Sequence, residues 1–432
     1  MMDNDITALR QEIGEKYKNL TSSRRKPFNE KLYLYLTEPC PEMKMLSIIY
    51  RGNYKFFFNA RIEDDHFAIL AEVLLDYSDY IVHLDLSYNE ITETSLDMFC
   101  KVLEISPHLE SLNLQFNYLR SKGGNKILEA LSEARRNFDG KTNLKYLNLE
   151  GNEIKTTGLL GITPDEKLFE DKQTSIEKLL LNNEDLEELN LSNNEIDDYG
   201  IIETITYLNQ AVNMTNLDTL CLDNPFLCGI GQVSAFHIGR MLQTNKCLSK
   251  LSLRKQGLND EGIYVICEHL LENERLRVLD LGANKISYKG CQSLTKVLKS
   301  EYCALESLIL NNNRTGYFGA LAISDSIENN RTLVHLDMST NDIDDEGLAL
   351  IAKALFKNEI LVSVKLYWNH FDTKSKDVFH KLLCEENPNR TSDWFLDFTT
   401  YIVDDQIQIA YVDNALPYDI FPPKKYYIDA NV

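Results

Sequence analysis

The 432-residue chain has few of the marks by which an enzyme, a membrane protein or a secreted protein is recognised. It contains no glycine-rich phosphate-cradling loop, no G-x-S-x-G, no H-E-x-x-H and no cysteine pair at metal-binding spacing. The nine cysteines are odd in number, scattered and never arranged C-x-x-C. Cys267 and Cys291 fall where a helix buries a small apolar side chain, as expected in a reducing compartment. No apolar run approaches the ~20 residues that span a bilayer. The start, Met1-Met-Asp-Asn-Asp-Ile-Thr, has neither a basic n-region nor an apolar h-region, so secretion is not expected. Basic residues are also short. There are 45 Lys and Arg against 66 Asp and Glu, a net charge of −21 that argues against nucleic acid and anionic membrane as main partners. The eight histidines are dispersed, and His83 and His335 lie far apart in strand-like segments. No catalytic residue, metal, cofactor or small-molecule substrate is expected.

What the chain does have is one phrase, Leu-x-x-Leu-x-Leu-x-x-Asn-x-Ile, repeated ten times. Leu276, Leu279, Leu281, Asn284 and Ile286 show it clearly, as do Leu333, Leu336, Met338, Asn341 and Ile343. The Asn position falls at 89, 117, 152, 194, 225, 256, 284, 313, 341 and 369, in steps mostly between 28 and 35. Such a period marks a solenoid, in which each unit rests on its neighbours and offers an extended surface instead of a closed pocket. The later leucines alternate along a short strand. The Asn amide is placed to satisfy backbone groups of the adjacent turn, so Asn89, Asn117, Asn152, Asn194, Asn284, Asn313, Asn341 and Asn369 are expected to form a ladder. Six places on comes Gly in eight repeats, from Gly123 to Gly347, read as a small residue in a tight loop entering a helix. The segments that follow have helical apolar spacing.

A strand–loop–helix unit of 28 to 29 residues resembles the ribonuclease-inhibitor subclass of leucine-rich repeats, over roughly residues 81 to 386. The resemblance implies an α/β fold: a curved solenoid, or horseshoe, with parallel inner strands, outer helices and a cap at each end. Three regions are expected: an N-terminal helical extension (1–54), the solenoid with a decayed N-terminal cap repeat (55–386), and a C-terminal hairpin cap and tail (387–432). Pro225 and Gln256 replace the ladder Asn in two central repeats, and Pro, having no amide, should break the ladder. Insertions lengthen the second and third steps, around residues 135–140 and 162–172. The tail from Phe398 to Val412 alternates around Asp404-Asp405 and reads as a hairpin docked on the last repeat.

The functional expectation is a non-enzymatic scaffold that binds protein subunits of a larger assembly. Positions between the strand leucines face the inside of the arc and are mostly neutral or acidic: Asp85, Asn148, Glu150, Glu188, Asp223, Asp280 and Asp337. The sixth repeat differs, with Lys250, Arg254 and Lys255 together as a candidate contact for an acidic partner. Tyr367 and Trp368 in the last repeat, and Phe421 and Tyr426 in the tail, are candidate aromatic anchors. The tail around Trp394-Phe-Leu-Asp-Phe is similar to the ending of leucine-rich-repeat proteins of motile cilia, which implies a fixed subunit of an axonemal complex such as a radial spoke. The alternative is a soluble cytoplasmic or nuclear adaptor. Ran GTPase-activating proteins share the repeat length, but only Arg120 roughly matches their loop arginine, and its context departs from their motif.

Overall fold

Each repeat is built on a strand of about three residues, because only the leucine-x-leucine core of the phrase alternates between inside and outside. A computed structural model describes residues 6–39, 45–134, 142–162, 173–210, 216–226, 232–384 and 395–412. The chain divides into two units, Met1–Cys228 and Gly229–Val432.

The first unit opens with helices α1 (Ile6–Arg24) and α2 (Glu30–Thr37), then strand β1 (Leu46–Ile49) and helix α3 (Asp64–Leu74). Repeats follow as β2 (Ile81–Asp85) with α4 (Leu96–Ile105), β3 (Ser111–Asn113) with α5 (Arg120–Ser132), and β4 (Tyr146–Asn148) with α6 (Lys155–Leu160) and α7 (Ser175–Asn182). Next come β5 (Glu188–Asn190), α8 (Asp198–Gln210) and β6 (Thr219–Cys221). Strands β1 to β6 pair in parallel in chain order. Their register stacks Leu84, Leu112, Leu147, Leu189 and Leu220 into one buried column. The sheet therefore starts at Leu46, inside the stretch expected to be a helical extension.

That first strand would leave an open edge, and side chains close it. The Arg10 guanidinium, buried in α1, donates to the Ser47 carbonyl through Nη1 at 3.3 Å and to the Glu38 carbonyl through Nε at 2.9 Å. The Tyr35 hydroxyl accepts the Ile49 N–H at 2.6 Å. Two side chains thus take hydrogen bonds that a further strand would make, so the edge cannot template pairing with another chain.

The second unit runs α9 (Gln232–Thr244), β7 (Lys250–Ser252), α10 (Asp260–Leu270), β8 (Val278–Asp280), α11 (Tyr288–Leu298), β9 (Ser307–Ile309) and α12 (Gly316–Ile327). It continues with β10 (His335–Asp337), α13 (Asp345–Lys357), β11 (Ser363–Lys365), α14 (Thr373–Cys384) and β12 (Phe395–Leu396), and ends in β13 (Phe398–Val403) and β14 (Gln406–Tyr411). Strands β7 to β12 are parallel. Leu251, Leu279, Leu308, Leu336 and Val364 form the second buried column.

β13 and β14 make an antiparallel hairpin, but it does not take the sheet edge: β12 pairs with β11 there. The hairpin packs by Phe398 on Phe371 and Phe379, with ring centroids 4.9 and 5.0 Å apart. Between them, Asp397 accepts the Leu366 and Tyr367 N–H groups at 2.8 and 3.0 Å, which ends the ladder of the last repeat with a carboxylate. Burial, with Asp337 nearby, pushes the Asp397 carboxyl up to about 6, against the lowering effect of those two N–H groups. A carboxyl raised in the folded state contributes stability that is present below the unfolded value and is lost as pH rises through the folded one. The deficit of Asp397→Asn relative to the parent chain is therefore expected to shrink between about pH 4 and about pH 6. Urea melts of both proteins across that range check it, and a deficit independent of pH overturns the assignment.

The repeated glycine has a different role from the one expected. Gly123, Gly158, Gly262, Gly290 and Gly347 lie within the first turn of a helix, not in the loop before it. At Gly158 an added Cβ would come within 2.5 Å of the Ser121 carbonyl oxygen and 2.6 Å of its Cα. At Gly158 the missing side chain lets α5 and α6 approach backbone to backbone, and at Gly123, Gly262, Gly290 and Gly347 it leaves room for neighbouring side chains, so packing selects glycine there, not turn conformation. The insertion before Asn194 splits the helix of its repeat into α6 and α7; residues 135–141 and 163–172 themselves lie outside the described residues.

Candidate protein-contact surface

The asparagines of the phrase are spent on holding repeats together. Asn284 donates through Nδ2 to the Leu253 carbonyl of the preceding repeat and the Leu281 carbonyl of its own, both at 2.9 Å, and its Oδ1 accepts the Leu258 N–H at 3.1 Å. Asn313 does the same with Leu281, Leu310 and Ile286 at 3.0, 2.9 and 3.0 Å. Asn89, Asn117, Asn152 and Asn194 in the first unit, and Asn341 and Asn369 in the second, each reach back to a carbonyl one repeat earlier. Each side chain is both donor and acceptor, a combination that Asp and Leu lack at this size. Pro225 carries no amide, and Gln256 is fully buried at its place.

A second asparagine row went unread in the sequence, although its signal is there: Asn three residues before the first leucine of the phrase. Asn273, Asn330 and Asn358 accept the N–H of Leu276, Leu333 and Leu361, each at 2.7 Å. Their Nδ2 groups donate to Leu242, Leu298 and Ile327 carbonyls of the previous helix.

The inner strand face is less available than its sequence suggests. Asp85, Asn113, Asn148, Asn190, Asp280 and Asp337 each accept the N–H of the residue two places on, at 2.8 to 3.1 Å. These short side chains brace the turn that leaves the strand. Asp85 is also held by Arg51 Nε at 2.7 Å, and burial pushes the Asp337 carboxyl up. Burial likewise holds His83 and His335 below the usual imidazole value, and they stand in separate units.

The sixth-repeat basic residues are not one patch. Arg254 turns along the sheet: Nη1 lies 3.1 Å from both Asp280 carboxylate oxygens and donates to Asn311 Oδ1 at 3.0 Å. Its charge is met within the fold. Lys250 is half-buried at the start of β7, and Lys255 is exposed on a left-handed turn with φ of +53°. Arg120 is exposed at the start of α5, with Nη1 3.9 Å from Glu93.

The last repeat presents a different surface. Tyr367 packs on Trp368 and Tyr411 with centroids 5.2 and 5.0 Å apart, while Trp368 is 74% exposed. Trp368 has φ of +62° and precedes the ladder Asn369. The same left-handed conformation recurs before the ladder position in all ten repeats, at Tyr88, Phe116, Gly151, Asn193, Asn224, Lys255, Ala283, Asn312, Thr340 and Trp368. Few residues other than Gly, Asn and Asp adopt it readily, so a Trp there holds strain and exposure together. Tyr401, Ile402 and Val403 add exposed apolar surface at the hairpin tip. Phe421 and Tyr426 lie outside the described residues. Among the described residues no group of His, Cys, Asp and Glu could hold a metal ion, and no helix is long and apolar enough to cross a membrane.

Comparison with known proteins agrees with this geometry. A leucine-rich repeat family model matches residues 106–128, 140–162, 182–203, 272–294 and 329–352, and a second matches 80–102. Mouse leucine-rich repeat-containing protein 34 is 31% identical over 215 residues, 49% of this chain and 49% of that protein. The chain thus spans about half the length of that relative. Pig ribonuclease inhibitor is 25% identical over 338 residues, covering 71% of this chain and 69% of the inhibitor. In the solved complex of yeast Rad7 and Elc1, a chain with 17% identity aligns at a TM-score of 0.50 over 89% of this chain and 87% of that one, a likeness of fold. With family matches in both units and a strand, turn and helix in each repeat, the chain is a leucine-rich repeat protein whose repeats are of the ribonuclease-inhibitor type.

Proposed function

We propose that this protein is a non-enzymatic protein-binding scaffold, a fixed subunit of an axonemal complex in a motile cilium. The observation that carries the binding reading is Trp368, a large aromatic side chain kept exposed in a backbone conformation that disfavours it. Buried aromatic anchors dominate protein interfaces, and Tyr367, with Tyr411 packed on it, extends the aromatic area beside this one. The ciliary setting rests on the likeness of the tail alone.

Cross-linking with mass spectrometry on the native source is the direct test. Cross-links from the last repeat and hairpin to other axonemal subunits are expected; a chain that purifies free, with no protein cross-linked to it, overturns the reading. Trp368→Asn suits the left-handed turn, as Asn193 and Asn312 show, so it should fold normally while weakening partner co-purification by about 30-fold or more. Lys250→Glu with Lys255→Glu tests the sixth repeat. Reversing Arg254 would not, because it would set a carboxylate against Asp280 and disturb the fold itself.

A further inference from the structure

Trp368 is not the sole aromatic on a left-handed turn: Tyr88 and Phe116 occupy that position in adjacent repeats of the first unit. Their rings stack, with centroids 4.8 Å apart and planes 28° from parallel. Phe116 is 37% exposed and Tyr118 beside it 47%. The next repeat makes room for them. Its turn residue is Gly151, where a Cβ would come within 2.5 Å of the Phe116 ring. Neither the ladder nor the core needs these rings, since Asn serves in three other repeats and Gly in this one.

Charge gives the platform a sign. The Phe116 N–H donates to the Glu150 carbonyl at 2.7 Å, which sets the two main chains side by side, and the Glu150 charge acts on the Tyr88 hydroxyl. The Glu150 carboxylate is held by Asn193 Nδ2 at 2.7 Å and Asn190 Nδ2 at 3.2 Å, both neutral donors. Among the described residues no cation forms an ion pair with Glu150, and none stands over Tyr88, Phe116 or Tyr118. Elsewhere in the chain exposed rings do carry cations: Arg61 lies 5.0 Å from the Phe58 centroid and Lys31 5.0 Å from Phe56. A ring face attracts a cation through its quadrupole, and an adjacent carboxylate without a cation strengthens the attraction.

We propose that Tyr88, Phe116 and Glu150 form a platform that takes an arginine or lysine side chain from an extended basic segment of a partner protein. The inference rests on the protein-binding reading above and adds the chemistry of one contact. The full chain is titrated into a fluorescently labelled arginine–glycine repeat peptide, with a glutamine–glycine peptide of equal length as reference, and anisotropy is read. Tyr88→Asn with Phe116→Asn should weaken arginine-peptide binding about tenfold or more while leaving the melting temperature equal or higher, because Asn relieves the turn. Glu150→Gln should weaken it as well and reduce its salt dependence. Equal binding of the two peptides by the parent chain, or arginine-peptide binding unchanged in the Asn double variant, overturns the platform. Native cross-links to a partner protein would leave the scaffold reading standing in that case, so the two can fail separately.

Discussion

Replacing Leu279 with alanine is expected to destabilise the second unit by roughly 2–5 kcal/mol, the usual range for a buried leucine truncated in a close-packed core. Leu279 has no exposed surface and stands in register between Leu251 and Leu308, so a cavity there opens the buried column on both sides. Solenoid stability is close to a sum of repeat and nearest-neighbour interface contributions, and the damage should be concentrated accordingly. Hydrogen exchange is expected to show lost protection in β7, β8 and β9 before more distant strands. A uniform loss across the unit, or a melting temperature equal to the parent's, would sink this account of the core.

Asn284→Ala is expected to cost about 1–3 kcal/mol although it removes far less apolar surface. Its side chain holds two carbonyls and one N–H, and the change leaves the Leu253, Leu281 and Leu258 backbone groups buried without it. The penalty of an unsatisfied buried group outweighs the modest net gain of a made hydrogen bond, so the loss should exceed that of an exposed substitution severalfold. Pro225→Ala is the matched control. It sits at the same place in the phrase but has no side-chain hydrogen bond to lose, and its effect should be small. Equal denaturation midpoints for Asn284→Ala and the parent would show that the asparagine row is not what ties the repeats together.

These two residues show why so much of the fold was legible in advance. Core alternation and the ladder Asn are local requirements of one repeat; ten copies state the first and eight of them the second. The surface was legible only in part. Arg254, Lys250 and Lys255 are close in sequence and read as one basic patch, but Arg254 is drawn to Asp280 and Asn311 of the next two repeats. The acidic positions of the inner face read as open charge, yet Asp85, Asp280 and Asp337 are occupied by turn N–H groups two residues on. The second asparagine row shows in the sequence only as a spacing, because its partners are carbonyls of the preceding helix, outside the strand phrase.

By itself the sequence determined the period, the strand–loop–helix order, the buried leucine positions and the place of the first asparagine row, because each follows from contacts within a repeat or with its immediate neighbour. Tertiary structure decided the rest. It put β1 ahead of the repeats with Arg10 and Tyr35 closing its edge, gave the far edge to β12 instead of the hairpin, and set glycine where close packing leaves little room for a Cβ. It also placed Trp368, and the stacked pair of half-buried Tyr88 and exposed Phe116, on left-handed turns. Those outcomes depend on which side chain reaches across from another repeat or cap, and a repeat phrase says nothing about groups outside its own length.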